Sequence, residues 1–397
     1  MKSILFIGAG FLQAFIIKRA MELGYRTISI DKNPKSVGFK FADEHEVVDI
    51  IDVDACLAYA HKKNIDGVLT AATDYGVLSA SKIANEFNLP GLDFNVANVI
   101  KNKYSVRKIL YQHSIETISQ FFEVSCLEDL RELRHKINYP VMVKPCDGSG
   151  SKSTQRVDDF ETLQTACEDA LQASLIGRAL IEDFIEGVEF GAESFVYQGH
   201  VNVLGVMGKR MTKPPDYAEL GHYMPCGLAP EKEDEVKTEI IKTIKALNIN
   251  FGAVNIDLLI TNDLKPIIVD IGARMGGNLI GSHIIPSATG IDYMGNLIKS
   301  AVGDEVNMRA KSSISPIATR LLALKPGKVV KLPDFQVISQ THNVEIYHHL
   351  QLGDHINQYH NNLDGCGYVL ARGKDVIDAN LRVEQALRDI DRGIERV

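Results

Sequence analysis

The chain has 397 residues, of which 45% are hydrophobic and 24% are charged, and its formal net charge is −8. This composition is typical of a globular protein of two or three domains, and it argues against a basic nucleic-acid-binding surface and against a membrane protein. The six cysteines are scattered without a C-x-x-C pair, which argues against zinc and disulfide frameworks and favours a reduced, cytoplasmic location.

The first 95 residues alternate short apolar runs with amphipathic segments. This pattern predicts parallel strands connected by helices, as in a Rossmann-like domain. The predicted strands are "SILFIG", "RTISID" and "DGVLTA", and the predicted helices are "FLQAFIIKRAMELG", "DACLAYAHKKN" and "GVLSASKIANEFN". Gly8, Gly10 and Gln13 interrupt the first apolar run, so a strand, a turn and a helix fit better there than a signal peptide.

The first turn, "FIGAGFLQ", contains G-x-G, and Asp31 ends the second strand. Both features are found in dinucleotide-binding folds, where the acid binds a ribose hydroxyl. The third glycine of that fingerprint is missing, and any close strand-to-helix turn can use the first two. An NAD-binding oxidoreductase is therefore one alternative.

The middle of the chain begins with a predicted helical stretch over residues 95–114, followed by a helix near 128–136 and the strand "YPVMVKP". The glycine- and serine-rich "CDGSGSKST" follows Lys144 directly. It does not match a P-loop, because Ser151, and not glycine, precedes Lys152. Such a loop can still cover phosphates with backbone N–H groups. A mobile surface hairpin is the alternative.

The segment "LIEDFIEGVEFGAES" places Glu182 and Glu189 seven residues apart with a glycine turn between them. The first carboxylate, at a strand end, could accept the adenine amino group, and the second could accept both ribose hydroxyls. A solvated acidic turn is the alternative. Antiparallel strands are predicted over residues 188–207, a polar loop over 209–228, and a helix in "EDEVKTEIIKTIKALN".

The segments "AVNIDLLI" and "PIIVDIG" predict a hairpin, because "TNDLK" between them has turn chemistry. Folding it between Asp263 and Leu264 places Asp257 opposite Asp270. Side chains alternate along a strand, so one face is apolar and includes Val269, and the other carries the two carboxylates.

Two opposed carboxylates repel unless a cation lies between them, and Mg²⁺ suits such a pair when phosphate supplies further ligands. We therefore expect a metal site at Asp257 and Asp270, with a solvated acidic face in another register as the alternative. Without metal, removing one carboxylate is expected to leave stability equal or slightly higher.

Taken in order, these segments resemble the carboxylate–amine ligases of the ATP-grasp superfamily. The resemblance implies an α/β fold with a Rossmann-like pre-ATP-grasp domain over residues 1–95, a nucleotide-binding domain over 96–312, and a small β-rich, lid-like C-terminal domain over 313–397. The motifs that carry it are "NKYSVRKIL", "YPVMVKPCDGSGS", "LIEDFIEGVE", "NIDLLI…VDIGARMGGN" and "RLLALKPGKVVKL".

The resemblance implies ATP and Mg²⁺, or Mn²⁺, as cofactors, and it assigns roles residue by residue. Lys144 and Arg274 are implied in the chemistry, and Asp257 and Asp270 in metal binding. The implied ATP-binding residues are Lys103, Lys144, Ser149, Gly150, Ser151, Glu182, Phe184, Ile185 and Glu189. The implied substrate-binding residues are Glu219, for an ammonium group, His222, as a contact or base, Arg274 and Asn278.

Two departures from the family pattern affect the metal site. The second metal carboxylate is usually Glu but is Asp270 here, and the Asn that commonly follows two residues later is Gly272. Asn255, opposite Gly272 in the predicted register, could fill that gap. Lys209 and Arg210 begin the predicted substrate loop, "KRMTKPPDYAELGHYMPCGL", and could equally be solvated.

The implied reaction has two steps: a carboxylate, expected to be an amino acid, attacks ATP to give an acyl phosphate, and an amine then displaces phosphate. A bicarbonate-using carboxylase, a purine-pathway ligase and a nucleotide-binding protein without turnover remain alternatives. The expected partners are these small molecules, with no nucleic acid or membrane, and a homodimer is possible.

Overall fold

A computed structural model describes residues 1–115, 118–148 and 150–397. The N-terminal part is a parallel four-stranded sheet in the order β3-β2-β1-β4 with helices packed on it, as the alternating pattern predicts. Its elements are β1 (Ser3–Ile7), α1 (Gln13–Glu22), β2 (Arg26–Asp31), β3 (Glu44–Val47), α2 (Val53–Ala60), β4 (Gly67–Leu69) and α3 (Val77–Glu86).

The predicted helical stretch over 95–114 is two helices, α4 (Phe94–Lys101) and α5 (Lys103–Gln112). Asn102 separates them because its backbone is extended and its side chain accepts a hydrogen bond from Ser105 N, which caps α5. Lys103 N also donates to Cys146 O at 2.8 Å. The break therefore fixes Lys103 at the start of a helix, beside the strand that carries Lys144.

A four-stranded antiparallel sheet in the order β5-β8-β6-β7 follows, covered by a helix. Its elements are β5 (Phe121–Val124), α6 (Asp129–Leu133), β6 (Val141–Pro145), β7 (Gln155–Val157), α7 (Phe160–Ala173) and β8 (Ala179–Asp183). Lys144 and Glu182 lie on the neighbouring strands β6 and β8, which brings the second predicted lysine beside the predicted adenine segment.

An eight-stranded sheet in the order β13-β12-β9-β10-β11-β14-β18-β16 forms the centre of the molecule. Its strands are β9 (Gly187–Tyr197), β10 (His200–Met211), β11 (Glu219–Met224), β12 (Gly252–Thr261), β13 (Pro266–Gly272), β14 (Ile317–Leu321), β16 (Glu345–His348) and β18 (Gly367–Arg372). The prediction of a loop over 209–228 is wrong in part, because β11 pairs with both β10 and β14 there.

The remaining elements pack around this sheet. They are α8 (Pro230–Ala246), α9 (Ile285–Thr289), α10 (Tyr293–Ala301), β15 (Gly327–Lys331), α11 (Phe335–His342), β17 (His355–Ile356), α12 (Val376–Gly393) and β19 (Glu395–Arg396). The predicted α/β fold class is confirmed. The sheet continues across residue 312 through β14, and the predicted domain boundaries near 95 and 312 stay predictions.

The largest hydrophobic core joins side chains from the N-terminal sheet, the central sheet and the C-terminal strands, among them Phe6, Phe195, Tyr293 and Tyr368. Burial of this apolar surface holds the three parts in fixed relation. Among the described residues, no helix has the length and apolar character needed to cross a membrane.

Candidate active site

A cavity of about 730 Å³ lies where the antiparallel sheet, the central sheet, the N-terminal part and the C-terminal segment meet. It brings together thirteen residues predicted as site residues. They are Lys103, Lys144, Gly150, Ser151, Glu182, Phe184, Ile185, Glu189, Glu219, Asp257, Asp270, Arg274 and Asn278. Ser149 lies outside the described residues, and His222 is not part of the cavity wall.

One end of the cavity contains a buried group of charges around Glu182. Its carboxylate lies 2.5 Å from Lys144 Nζ and accepts a 2.6 Å hydrogen bond from Arg107 Nε. Both cations also reach Val269 O, at 3.2 Å from Lys144 and 2.6 Å from Arg107. Burial disfavours the Glu182 anion, but the charges of Arg107 and Lys144 outweigh it and lower the pKa of Glu182.

The two oxygens of Glu182 are therefore already bonded to cations, which the sequence did not reveal. This geometry makes Glu182 the residue that holds Lys144 in place, and its predicted contact with an adenine amino group stays a prediction. The chain after it, at Phe184 and Ile185, lines the cavity with backbone and apolar side chains, and Phe184 N donates to Pro140 O at 3.2 Å.

The glycine- and serine-rich loop borders the same end of the cavity. Gly150, Ser151 and Ser153 have φ angles of 70°, 62° and 53°, in the left-handed region, and Ser151 Oγ donates to Tyr217 O at 3.3 Å. Left-handed residues in such turns form concave sets of backbone N–H groups that bind anions. The loop is suited to cover phosphates, as its position after Lys144 suggests.

The hairpin register at the carboxylates is the predicted one, with Asp257 opposite Asp270 and Asn255 opposite Gly272. A β-bulge then shifts the pairing between Asp257 and Leu258. The prediction that Val269 lies on the apolar face is wrong, because the bulge places Val269 at the cavity wall. Its carbonyl thereby becomes the acceptor for the Lys144 and Arg107 side chains.

Each opposed carboxylate is paired with its own lysine. Lys103 Nζ lies 2.9 and 2.8 Å from the two oxygens of Asp270, and Lys209 Nζ lies 2.9 Å from Asp257 Oδ1. Burial opposes the charge of Lys103, but Asp270 raises the pKa of Lys103 above its ordinary value. The cation that the opposed carboxylates require is thus supplied by the chain itself.

Lys209, which the sequence left as a solvated lysine or part of the substrate loop, is buried in the cavity wall. Its side chain is only 2% exposed, and its ammonium also lies 2.7 Å from Glu189 and 3.4 Å from Glu219. Burial lowers its pKa, but the charges of Asp257, Glu189 and Glu219 raise that pKa well above the ordinary value. Lys209 therefore links the predicted ribose, metal and substrate positions.

Arg274 points its guanidinium at the same cavity. Nη2 donates to Asp74 Oδ2 at 2.7 Å and Nη1 donates to Asn255 Oδ1 at 3.0 Å. The Asn255 amide also donates to Glu193 at 3.1 Å. Asn255 thus supports Arg274, and its role as a metal ligand in place of residue 272 stays a prediction.

Glu193 lies fully buried beneath the turn after Arg274. Its carboxylate accepts hydrogen bonds from Gly276 N at 2.9 Å, Tyr293 OH at 2.8 Å and Asn255. Burial raises the pKa of Glu193 to about 7, although these donors and the charge of Arg274 oppose the rise. The carboxylate orders a loop whose residues Asn278 and Leu279 have φ angles of 50° and 61°.

The far wall combines Glu219 and Asn278 with two tyrosines from the C-terminal part. The Asn278 amide donates to Glu219, Tyr368 OH donates to Asn278 Oδ1 at 2.8 Å, and Tyr359 OH donates to Glu219 O. Burial opposes ionisation of Glu219, but the charges of His222 and Lys209 lower its pKa. This wall offers polar groups to a small substrate.

The prediction of His222 as a substrate contact or base is wrong in its placement. The ring is fully buried beneath Glu219, with Nδ1 3.2 Å from Glu219 Oε1, and is absent from the cavity wall. The pairing of β10 with β11 shifts by one residue here, so His222, opposite Lys209, lies on the same face of the sheet as Glu219, opposite Met211. Burial lowers the pKa of His222, although Glu219 opposes this.

The donor chemistry fits a divalent cation that arrives with phosphate. Asp257 and Asp270 face each other with side chains 33% and 37% exposed, which leaves their oxygens accessible. Within residues 1–115, 118–148 and 150–397, no group of three or more His, Cys, Asp or Glu residues could hold a metal alone. Mg²⁺ commonly binds through one or two carboxylates and completes its shell with phosphate oxygens and water.

Comparison with known families gives two matches. Residues 137–282 match an ATP-grasp domain, and residues 320–395 match the L-amino acid ligase C-terminal domain 2. The first match includes the strand of Lys144, the Glu182 segment and the hairpin of Asp257 and Asp270. The second includes Tyr359 and Tyr368, which reach the far wall of the cavity.

Three similar proteins cover most of the chain. An uncharacterized protein, y4rH, of Sinorhizobium fredii is 23% identical over 388 residues, which are 94% of this chain and 79% of that protein. The L-amino acid ligase of Bacillus licheniformis (TM-score 0.83, 23% identity) and the phosphoribosylglycinamide synthetase of Anaerococcus prevotii (TM-score 0.78, 24% identity) align with the whole chain and with 98% and 99% of theirs. At these identities the two structures establish the fold.

Proposed function

Because residues 137–282 match an ATP-grasp domain and residues 320–395 match an L-amino acid ligase domain, we propose that the chain is an ATP-grasp carboxylate–amine ligase. In this proposal it joins an amino acid to an amine through an acyl phosphate, releasing ADP and phosphate. One observation carries the proposal. A single cavity contains the lysines suited to nucleotide phosphates, an opposed carboxylate pair, and Arg274 beside polar groups suited to a small substrate.

The nucleotide lies between the two sheets in this proposal. Lys103 and Lys144 bind its phosphates, and the loop at Gly150 and Ser151 covers them with backbone N–H groups. Glu189, whose pKa is raised by burial and by Asp257 despite Lys209, accepts ribose hydroxyls. Lysines at fixed positions favour phosphoryl transfer mostly by orienting groups and stabilising developing negative charge.

Asp257 and Asp270 would hold Mg²⁺ or Mn²⁺, which ATP-grasp enzymes use with ATP. A bound divalent cation would neutralise phosphate charge at this point. With that cation bound, Lys103 and Lys209 would exchange their carboxylate partners and could donate to phosphate oxygens instead. The exposed position of both carboxylates permits this exchange.

Arg274 supports the acyl phosphate, because its planar fork suits a phosphate or carboxylate group. Glu219 and Asn278 face the same space and suit the ammonium group and polar atoms of an amino acid. The L-amino acid ligase match at residues 320–395 supports an amino acid over bicarbonate, because that part of the chain contributes Tyr368 to the substrate end.

An NAD-binding role has less support from the geometry. Asp31 accepts a 2.8 Å hydrogen bond from Ala9 N, and Gly38 N donates to Ala9 O at 2.7 Å. A Cβ at residue 38 would lie 2.7 Å from that carbonyl, so the backbone packs directly on the turn. The acid and the glycine turn thus support each other. Cytoplasmic location and a homodimer stay predictions.

The proposal is tested by measuring ADP and phosphate release across amino acids, singly and in pairs, with MgATP. We expect release that depends on one acid and one amine, with a dipeptide or amide of matching mass. Release that requires bicarbonate would favour a carboxylase, and nucleotide binding with no ADP under any pair would favour a protein without turnover.

A further inference from the structure

A loop of the N-terminal part docks against the turn that carries Arg274. Ala72 N donates to Met275 O at 3.0 Å, and Gln13 of α1 fixes the loop from behind by donating to Ala71 O at 2.9 Å. Ala72 has a φ of 55°, an uncommon conformation for a residue with a side chain. Surrounding contacts must hold this conformation, so the position of the next residues is fixed.

Asp74 follows in that loop and binds one arm of Arg274, while Asn255 of β12 binds the other. The guanidinium is therefore held between two elements from different parts of the chain. Burial disfavours its charge, but Asp74 raises the pKa of Arg274 above its ordinary value. Without Asp74, Asn255 would still bind Nη1 of Arg274, but Nη2 would lose its hydrogen bond to a carboxylate.

Gly272 lies where Asp74 and Arg274 meet. Its φ is outside the left-handed region, so the backbone of β13 does not require glycine there. A Cβ at this position would lie 2.8 Å from Asp74 Oδ1 and 3.2 Å from Arg274 Cζ. A side chain at residue 272 would therefore force the Asp74 carboxylate to shift from its place beside Arg274.

We propose that Asp74 is a positioning residue for Arg274, and that residue 272 is glycine because the Asp74 carboxylate occupies the space beside it. The Asn expected at 272 is thus replaced by a carboxylate from the N-terminal part of the chain. The inference rests on the proposed function only for the role of Arg274 in the reaction; the pairing of Asp74 with Gly272 is independent of it.

The expected effect lies mainly in turnover, because the hydrogen bond of Asp74 goes to Arg274, while Asp74 acts on Lys103 only through a smaller charge interaction without a hydrogen bond. Asp74→Ala should lower kcat about tenfold or more and keep KM for ATP within about twofold. Asp74→Asn keeps an acceptor oxygen for Arg274 and should lose less. Gly272→Ala should match Asp74→Ala, since the new methyl group displaces Asp74.

The double variant Asp74→Ala/Gly272→Ala tests whether Gly272→Ala acts through Asp74. With the carboxylate gone, the methyl group at 272 loses its closest contact and meets only the flexible Arg274 side chain, at 3.2 Å from Cζ. The double variant should therefore be close to Asp74→Ala alone. Losses that multiply, or a Gly272→Ala enzyme with wild-type kcat, would overturn the proposal. Asp263→Asn, at the exposed end of the same hairpin, is the matched control and should leave kcat unchanged.

Melting temperature provides a readout that needs no turnover. Gly272→Ala should lower the Tm of the wild type but not that of Asp74→Ala, and equal losses in both backgrounds would overturn the pairing. If the wild type releases no ADP with any pair of substrates, the proposed function fails, and this Tm comparison still decides whether Asp74 and Gly272 are matched.

Discussion

The lysine–carboxylate pairs of the cavity form two sets that differ in burial. The buried set has a structural part, and the partly exposed set can exchange its partners. Glu182, with Lys144 and Arg107, is 1% exposed and saturated with donors, whereas Asp257 and Asp270 keep a third of their side chains exposed beside Lys209 and Lys103. Breaking a fully buried pair leaves an uncompensated charge, while a partly exposed pair is weaker and can exchange partners. The first set fixes a lysine, and the second can release its carboxylates to a metal.

The largest effect is expected at the exchangeable carboxylates. Asp257→Asn and Asp270→Asn should each reduce turnover at least a thousandfold, about 4 kcal/mol, because an amide is a poor ligand for Mg²⁺ in place of a carboxylate. ADP release with the best acid and amine pair measures this. Substantial turnover at saturating Mg²⁺ would show that the metal binds elsewhere.

The lysine partners of Asp257 and Asp270 also change what we expect for the stability of these variants without metal. The sequence suggested that removing one of two repelling carboxylates costs no stability, but each is paired with a lysine. Asp270→Asn should lower the metal-free Tm more than Asp257→Asn, because Lys209 keeps Glu189 and Glu219 as partners. A higher Tm for Asp270→Asn would mean that repulsion dominates.

Glu193 extends the comparison to a buried carboxylate held mainly by uncharged donors. Its pKa is raised to about 7 in the fold, against about 4.3 in an unfolded chain. Its contribution to stability is therefore full below about pH 4.3 and is lost as pH rises to about 7. Across that range, wild type should lose roughly 3 kcal/mol relative to Glu193→Gln, as urea unfolding would show. A flat difference would contradict the shift.

Arg274 should act in the chemistry more than in ATP binding. Arg274→Lys cannot reproduce the two-armed contact with Asp74 and Asn255 or the fork toward the acyl phosphate. We expect ATP affinity within about threefold and a loss of at least a hundredfold in amide formation, roughly 2.7 kcal/mol. Calorimetry beside ADP release separates the two, and near wild-type turnover would make Arg274 a purely structural residue of the turn.

The smallest effect is expected for Lys144, in the buried set around Glu182, and it concerns the affinity for nucleotide. Lys144→Ala should weaken MgATP binding at least tenfold, about 1.4 kcal/mol, because it removes a cation that binds phosphate. Glu182 would keep Arg107 as its charged partner. Calorimetric titration gives the dissociation constant. Unchanged affinity would assign Lys144 to structure alone, and a micromolar dissociation constant for NAD(H) would reopen the oxidoreductase alternative.

The sequence predicted the fold class and the hairpin register because both depend on local patterns. Alternation along two strands and a polar turn were sufficient to place Asp257 opposite Asp270. The bulge at the next pair was not predictable, since it inserts a residue without changing the apolar composition. That single shift places Val269 O at Lys144 and Arg107.

The missed residues depend on contacts between distant segments. Lys209 in "GKRMTK" looks like any solvated lysine. Its burial follows from the pairing of β10 with β9 and β11 and of β9 with β12, which brings Glu189, Glu219 and Asp257 around it. Asp74 has no signal of its own before the N-terminal loop meets the Arg274 turn. Alternation would have misplaced His222, because the shift in pairing on β11 puts it on the same face as Glu219, whose carboxylate lies against the ring.

The positions of Tyr359 and Tyr368 have a consequence for evolution by recombination. Their hydroxyls bond to Glu219 and Asn278, so the far wall of the cavity, which we propose contacts the substrate, is shared between two segments of the chain. A chimera that takes residues after 313 from a relative would inherit a different half of this wall. Recombination at that junction would then diversify the acids accepted while leaving the nucleotide machinery as it was.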